Sequence, residues 1–339
     1  MTSFAHTPDA PGPTSTGPGP AQPRVTRLAP SPTGALHLGN ARTFLINWAH
    51  ARQTHTRIQL RIDDLDSPRV KTGAAQGAID DLQWLGMNWD GPPVRQTDDL
   101  QPYEAALAQL QAQGSTYRCP ATRREVLAAA SAPHKGDHDV RYPGLYRPEN
   151  NPPPIAQDAP CAVRFRVPQG ITHFTDSFAG PQAIDVQATV GDFLVATKAG
   201  LPAYQLAVVV DDTRAKVTDI IRGDDLLNST PRQLLLYHAL GLAGDSNLNV
   251  PRYFHVPLVL GPDGHRLAKR HGDTRVAAYR ERGVKPERII GLLAHTCGLL
   301  PAPAPMAAHT FCQQFCWAQL PPTAFTLTPE HDTWLLAHS

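Results

Sequence analysis

Two stretches of this chain hold side chains suited to handling a polyphosphate. His37, Gly39 and Asn40 stand directly ahead of an amphipathic run, and Arg266, Lys269, Arg270 and His271 share a glycine-dotted loop. In the first stretch Pro30 and Pro32 fix φ through a turn, and Gly34 is expected to permit a left-handed step. The helix that follows should offer unpaired N–H groups with the positive end of its dipole behind them, an arrangement that binds phosphate. His37 adds a side-chain donor, and Gly39, lacking a Cβ, would let a flat ring approach the backbone. In the second stretch Lys269 is placed to neutralise charge as it builds on a polyphosphate. Lysine supplies only 6 of the 31 basic residues, so a compact ammonium at this point carries information. Taken singly, either stretch is equally a capped turn or a solvated basic loop; their joint occurrence is the signal.

The elements that must position them alternate. "RVTRLA" reads as a strand, a helix from about Asn40 aligns Phe44, Leu45, Trp48 and Ala49, and "TRIQLRID" reads as a second strand. "AAQGAIDDLQWLG" and "EAALAQLQAQG" are helical patterns stopped by glycine. Strand signals return in "CAVRFRV", "YQLAVVVDD", "VTDIIRG" and "RYFHVPLVL", and "STPRQLLLYHALG" reads as a helix capped by Ser/Thr. Interleaved strands and helices predict an α/β fold with a parallel sheet. The expected divisions are a disordered tail over 1–23, the first half of the sheet domain over 24–118, an inserted lobe over 119–160, the second half over 161–284 and a helical segment over 285–339. "PAPAP" near residue 303 reads as a linker.

Composition narrows the setting. The 339 residues are 41% hydrophobic with a net charge of +1, enough for a real core and too balanced to announce a nucleic-acid partner by charge alone. Five cysteines without framework spacing, no export signal and no apolar run of roughly 18 residues predict a reduced, cytoplasmic protein. Cys312 and Cys316 are expected to pack in the core.

The string "RLAPSPTGALHLGN", with "LRIDDLD", "YQLAVVVDD", "IIRGDDLL" and "RLAKR", resembles the catalytic core of the class I aminoacyl-tRNA synthetases of the glutamyl type from about residue 24 to residue 300. His37 to Asn40 match the family's HIGH signature and Arg266 to Arg270 its KMSKS signature. The resemblance implies a Rossmann-type core that binds ATP with Mg2+. Only 69 residues follow Arg270, so no anticodon-binding domain of about 100 residues is expected. The short members of the family activate glutamate without tRNA and attach it to queuosine in the anticodon loop of tRNA(Asp), and that activity, by a monomer, is the leading expectation. A truncated synthetase charging a tRNA 3′ end, and a silent tRNA-binding paralog, are the alternatives.

By motif position, the resemblance makes Arg27 and Arg222 partners of the glutamate carboxylates. It has Leu28, Ala29, Pro30 and Ser31 line the pocket, Asp63 take the ammonium and Tyr204 close one side. His37, Gly39, Asn40, Arg266 and Lys269 fall to ATP, with His37, Asn40 and Lys269 as the catalytic set. Asp63 stands where the family often has glutamate, one methylene longer. The family's zinc positions fall on Cys119, Ala121, Tyr142 and Tyr146, which cannot close a tetrahedral site, and His134 and His138 lie in a polar loop; no structural zinc is expected. Arg118, Arg123, Arg124, Lys135, Arg141 and Arg147 of the lobe are equally a tRNA-phosphate surface or a solvated face.

Overall fold

The structure, a computed structural model, describes residues 23–32, 34–65, 70–129, 141–244, 249–267 and 273–337. Strand β1 (Val25–Leu28) leads into α1 (Leu38–Gln53), and β2 (Arg57–Ile62) returns parallel to β1 with Arg27 opposite Gln59. After α2 (Ala74–Trp84), β3 (Val94–Arg95) pairs parallel to β2. Next come α3 (Gln101–Ala112), β4 (Thr116–Cys119), α4 (Arg123–Ala129), β5 (Ala162–Phe165), β6 (Thr172–Asp176), β7 (Gly180–Ile184), α5 (Val186–Thr189) and β8 (Leu194–Ala196). The chain then re-enters the main sheet through α6 (Tyr204–Arg214), β9 (Asp219–Gly223), α7 (Ser229–Ala239) and β10 (Arg252–Val256), with β10 parallel to β9 and His255 opposite Arg222. β9 lies along β1, since the Thr218 N–H donates to Val25 O at 2.8 Å and Thr26 Oγ1 to Asp219 O at 2.8 Å. The order across the sheet is therefore β3, β2, β1, β9, β10, which reverses direction of growth at β1, the point where such sheets bind ligands.

Alternation along the strands divides labour between the two faces. Leu28, Ile58, Leu60, Ile221, Phe254 and Val256 face α1 and join Leu45, Ile46 and Ala49 in one apolar core. Burying each such side chain contributes about 1.5–3 kcal/mol. The opposite alternate positions, Arg27, Arg61, Arg222 and His255, lie toward the C-terminal ends of four strands on the face covered by α6 and α7.

The segment "YQLAVVVDD" is helix α6, not a strand. Gln205 to Asp212 are all buried, so the helix is enclosed on every side and shows no apolar stripe to distinguish it from a buried strand. α7 starts from Asn228 without a side-chain cap, and Ser229 and Thr230 are inside the helix, where Thr230 accepts a bond from Arg222. "RYFHVPLVL" is two strands: β10 ends before Pro257, whose carbonyl accepts from Arg42 Nη1 at 2.6 Å, and β11 (Val259–Leu260) follows. Gly34 does not take a positive φ. Among the described residues of the turn from β1 to α1, none is left-handed.

β4, β5 and β8 form an antiparallel sheet and β6 pairs with β7 as a hairpin, so the lobe's own sheet runs on to Ala196, beyond the expected boundary at 160. After β11 come α8 (Val276–Glu281), α9 (Pro286–Thr296), α10 (Ala308–Gln314), β12 (Phe325–Thr326) and α11 (Pro329–Leu336). The proline-rich stretch before α10 packs tightly: a Cβ on Gly291 of α9 would lie 1.8 Å from Ala304 O. Met306 N–H donates to Glu287 O at 2.8 Å, and β12 pairs parallel with β11. Trp317 stacks on Phe254 with ring centroids 5.0 Å apart. Cys312 is half-buried and Cys316 exposed, so Cys316 is not a core residue; it stands between Phe315 and Trp317, whose rings take the core positions. No helix among the described residues is long and apolar enough to cross a membrane.

Candidate active site

Three arginines from three neighbouring strands converge on one acid of α6. Arg27 Nε donates to Asp212 Oδ1 at 3.2 Å, and Arg61 Nη1 reaches the same oxygen at 2.6 Å. Burial acts to raise the Asp212 pKa, but the charges of Arg27, Arg61 and Arg222 outweigh it and hold the carboxyl below its usual range. Arg61 is almost wholly enclosed and also grips Asp63, Nε to Oδ1 at 2.6 Å and Nη2 to Oδ2 at 3.3 Å. Burial pushes the Asp63 pKa up despite that contact. The neighbouring acid of the same helix takes its hydrogen bonds from other residues, Asp211 accepting from Tyr103 Oη and Gln96 Nε2, each at 2.7 Å, while its Oδ2 lies 3.7 Å from Arg61 Nε.

Arg222 is also buried, with Nε donating to His255 Nε2 at 2.9 Å and Nη2 to Thr230 Oγ1 at 2.8 Å. Its Nη1 is enclosed and has no hydrogen-bond partner among the described residues. A buried donor left unpaired costs about 1–3 kcal/mol, so an anion that accepts from it is favoured. Among the described residues the terminal nitrogens of Arg27 make no hydrogen bond, its Nε alone being taken by Asp212.

The strand-to-helix turn arranges the other half of the site. The N–H of Asp63 donates to Pro30 O at 3.1 Å, which ties the end of β2 to the turn. Leu28 points into the α1 core, so only its backbone is available to a ligand, whereas Ser31 is exposed and Ala29 half-buried. Tyr204, the first residue of α6, is exposed and not a core residue. His37 is the N-cap of α1, and its Nδ1 accepts from the Asn40 N–H at 3.3 Å. With Nδ1 accepting, the proton of the neutral ring sits on Nε2, which makes that atom the donor. Burial first, then the charge of Arg266, lowers the His37 pKa to about 4, so the ring is neutral near pH 7.

Gly39 is needed for a reason nearer home than a ligand: a Cβ there would lie 3.2 Å from His37 Nδ1 and Cε1. The Leu38 N–H is taken by Thr274 O at 3.0 Å and that of Asn40 by His37, leaving the Gly39 N–H at this helix end. Val276 N–H donates to Leu36 O at 2.8 Å, and Arg266 pairs with Asp225 at 2.5 Å. The basic loop is thus anchored on both sides, at the histidine turn and at the end of β9. Lys269 itself lies outside the described residues, as do His134 and His138.

The four zinc positions of the lobe form a packed cluster. Cys119 Sγ lies 3.4 Å from Tyr142 Oη, which accepts from the Tyr146 N–H at 2.9 Å, and the Arg164 guanidinium sits 3.6 Å from the centre of the Tyr142 ring. Ala121 and Tyr146 pack against the same group. One thiol and two phenols under a stacked cation do not fit a tetrahedral zinc.

Asp212, Arg61, Asp176 and His255 were not assigned from sequence. Strand register could have found two of them, because His255 is directly opposite Arg222 and Arg61 lies on the face of Arg27, two residues beyond its partner Gln59. Asp212 comes to light only when its segment is read as a helix.

Residues 24–309 match the family described as tRNA synthetases class I (E and Q), catalytic domain. The chain is 49% identical over 288 residues to a Glutamyl-Q tRNA(Asp) synthetase of Rhodopirellula baltica, spanning 82% of this chain and 86% of that protein. It is 37% identical to a Glutamate--tRNA ligase of Methylobacillus flagellatus over 92% of this chain and 66% of that one. The fold matches a solved glutamate-tRNA synthetase of Elizabethkingia anophelis with a TM-score of 0.74 at 26% identity, covering 93% of this chain and 70% of the other.

Proposed function

The chain belongs to the class I tRNA synthetases (E and Q), and from that premise we propose that it activates L-glutamate with ATP and transfers it to queuosine-modified tRNA(Asp). A glutamate carboxylate oxygen attacks the α-phosphorus, pyrophosphate leaves, and a hydroxyl of the queuosine cyclopentenediol then takes the glutamyl group as AMP departs. Activation needs no tRNA. The protein acts in the cytoplasm, as a monomer, on ATP accompanied by Mg2+.

The observation that carries this reading is the buried, unpartnered Nη1 of Arg222 on the same sheet face as Arg27, a pair of guanidinium groups suited to a dicarboxylate. Arg27 and Arg222 hold the two carboxylates, and the backbone of Leu28 to Ser31 lines the cleft. Asp63 shares its carboxylate between Arg61 and the substrate ammonium, and Tyr204 covers one side. His37 Nε2–H and the Gly39 N–H serve the phosphates with Asn40 and Arg266, and Lys269 offsets the charge that grows as pyrophosphate leaves. The lobe carries no structural zinc.

The test is acceptor labelling. Glutamate should label tRNA(Asp) from queuosine-containing cells with or without its terminal adenosine, and leave queuosine-free tRNA(Asp) and tRNA(Glu) unlabelled. Periodate, which destroys the ring diol, should abolish labelling of the trimmed tRNA. The similarity to the Methylobacillus ligase supports a second reading, charging of a tRNA 3′ end. Labelling that follows tRNA(Glu) and is lost on trimming its terminal adenosine would establish that reading instead.

A further inference from the structure

Arg222 is held by a chain of contacts that ends outside the parallel sheet. Its Nε–H points at His255 Nε2, so that nitrogen must carry the lone pair and the imidazole proton must sit on Nδ1. Nδ1 faces Asp176 Oδ2 at 2.7 Å. Asp176 ends strand β6 of the hairpin, and its Oδ1 accepts the backbone N–H groups of Phe178 at 2.9 Å, Ala179 at 2.7 Å and His255 at 3.2 Å. Both side chains are fully enclosed. A carboxylate so fixed sets the tautomer of the ring, and the ring in turn takes the Nε of Arg222. With Nη2 given to Thr230, the guanidinium has one enclosed nitrogen left, Nη1.

We propose that Asp176 and His255 are positioning residues for glutamate binding, aligning Arg222 so that its Nη1 is presented to a substrate carboxylate. The inference rests on the reading of Arg222 as a carboxylate partner. It makes the β6–β7 hairpin part of the substrate site, although no residue of that hairpin need touch the ligand. Register explains why these residues meet: His255 and Arg222 are directly opposite on paired parallel strands. Burial, joined by the charge of Arg222 and opposed by Asp176, holds the His255 pKa below its ordinary value, in keeping with a neutral ring that accepts from the guanidinium.

Asp176→Asn replaces the acceptor by an amide that can donate to Nδ1, which moves the ring proton to Nε2 and sets it against the Arg222 Nε–H. His255→Leu removes the acceptor, and His255→Gln restores one near the Nε2 position. In glutamate-dependent pyrophosphate exchange, Asp176→Asn and His255→Leu should raise KM for glutamate about 10- to 100-fold, the scale for losing a charge-assisted hydrogen bond. KM for ATP should stay within about twofold, and His255→Gln should recover most of the glutamate affinity. A purely structural role would lower the active fraction and Tm without moving KM for glutamate, and would overturn the proposal. Arg222→Ala separates the two levels. If it raises KM for glutamate while folded His255→Leu does not, the positioning role fails and the reading of Arg222 stands; if Arg222→Ala leaves KM unchanged, that reading fails. Should Asp176→Asn not fold, the contrast between His255→Leu and His255→Gln decides, by calorimetric titration with glutamate.

Discussion

Arg27 on β1 and Arg61 on β2 donate to the same oxygen of Asp212, at 3.2 and 2.6 Å. One carboxylate of α6 therefore ties two buried guanidinium groups together; Arg61 pairs with Asp63 as well, whereas among the described residues Asp212 is the one acid paired with Arg27. Removing one partner from a buried ionic group costs about 3–5 kcal/mol, and here the charge left enclosed without a paired acid is that of Arg27, since Arg61 keeps Asp63. Asp212→Ala should lower unfolding stability by that amount and reduce kcat/KM for glutamate at least about tenfold as Arg27 loses its anchor. An unchanged denaturation midpoint would show that the two arginines do not depend on this acid.

Lys269→Ala should leave the fold intact and slow glutamate activation about 10²-fold or more, the scale for removing one partner of transition-state charge. Normal exchange rates in a folded variant would remove the basic loop from the mechanism.

Two histidines contribute to the response to acid between neutrality and about pH 4. Burial first, and nearby arginines after it, lower both His37 and His50 to about 4 in the folded protein, against about 6.5 when unfolded. Between those values the unfolded chain binds more protons, so their contribution is complete above about pH 6.5 and is lost as pH falls toward 4. Asp63 and Asp81, whose pKa values burial raises, act in the opposite sense over the range above the ordinary carboxylate value. The clean readout is a difference: on going from pH 7 to pH 5, His50→Gln should lose less Tm than the parent protein. Parallel curves for the two proteins would contradict the assignment to His50.

The lobe should hold without metal. Elemental analysis should find well under one zinc per chain, and a chelator should leave Tm unchanged, because a folded metal site would otherwise be linked to stability. Arg164→Ala should cost about 1–2 kcal/mol by removing the cation stacked on Tyr142. Stoichiometric zinc that disappears in Cys119→Ser would overturn the packing account.

Local signals made much of this legible. Strand alternation and the helical spacing of Phe44, Leu45, Trp48 and Ala49 located β1, α1 and β2, and the motif positions of Arg27 and Arg222 fall on the neighbouring strands β1 and β9, with Asp63 directly after the end of β2. α6 was not legible, since three successive valines favour a strand and its burial on all sides erases helical periodicity. The misread helix concealed Asp212, whose role depends on which face of α6 meets the arginines. Asp176 and His255 could not be linked from sequence, because 79 residues separate them and the hairpin that joins them carries no chemical motif. Cys316 shows the reverse error, an exposed residue within an apolar stretch, because past the end of α10 its neighbours Phe315 and Trp317 face the core in its place.

Leu28 and Leu335 belong to one apolar core around α1. A polypeptide is made from its N-terminus, so this core cannot close on the ribosome until Leu335 has emerged, long after Leu28. During that interval the flank of α1 that packs on α10 is open to chaperones or to other nascent chains. The histidine turn at the start of α1 is likewise secured only by later chain, through Thr274 and Val276.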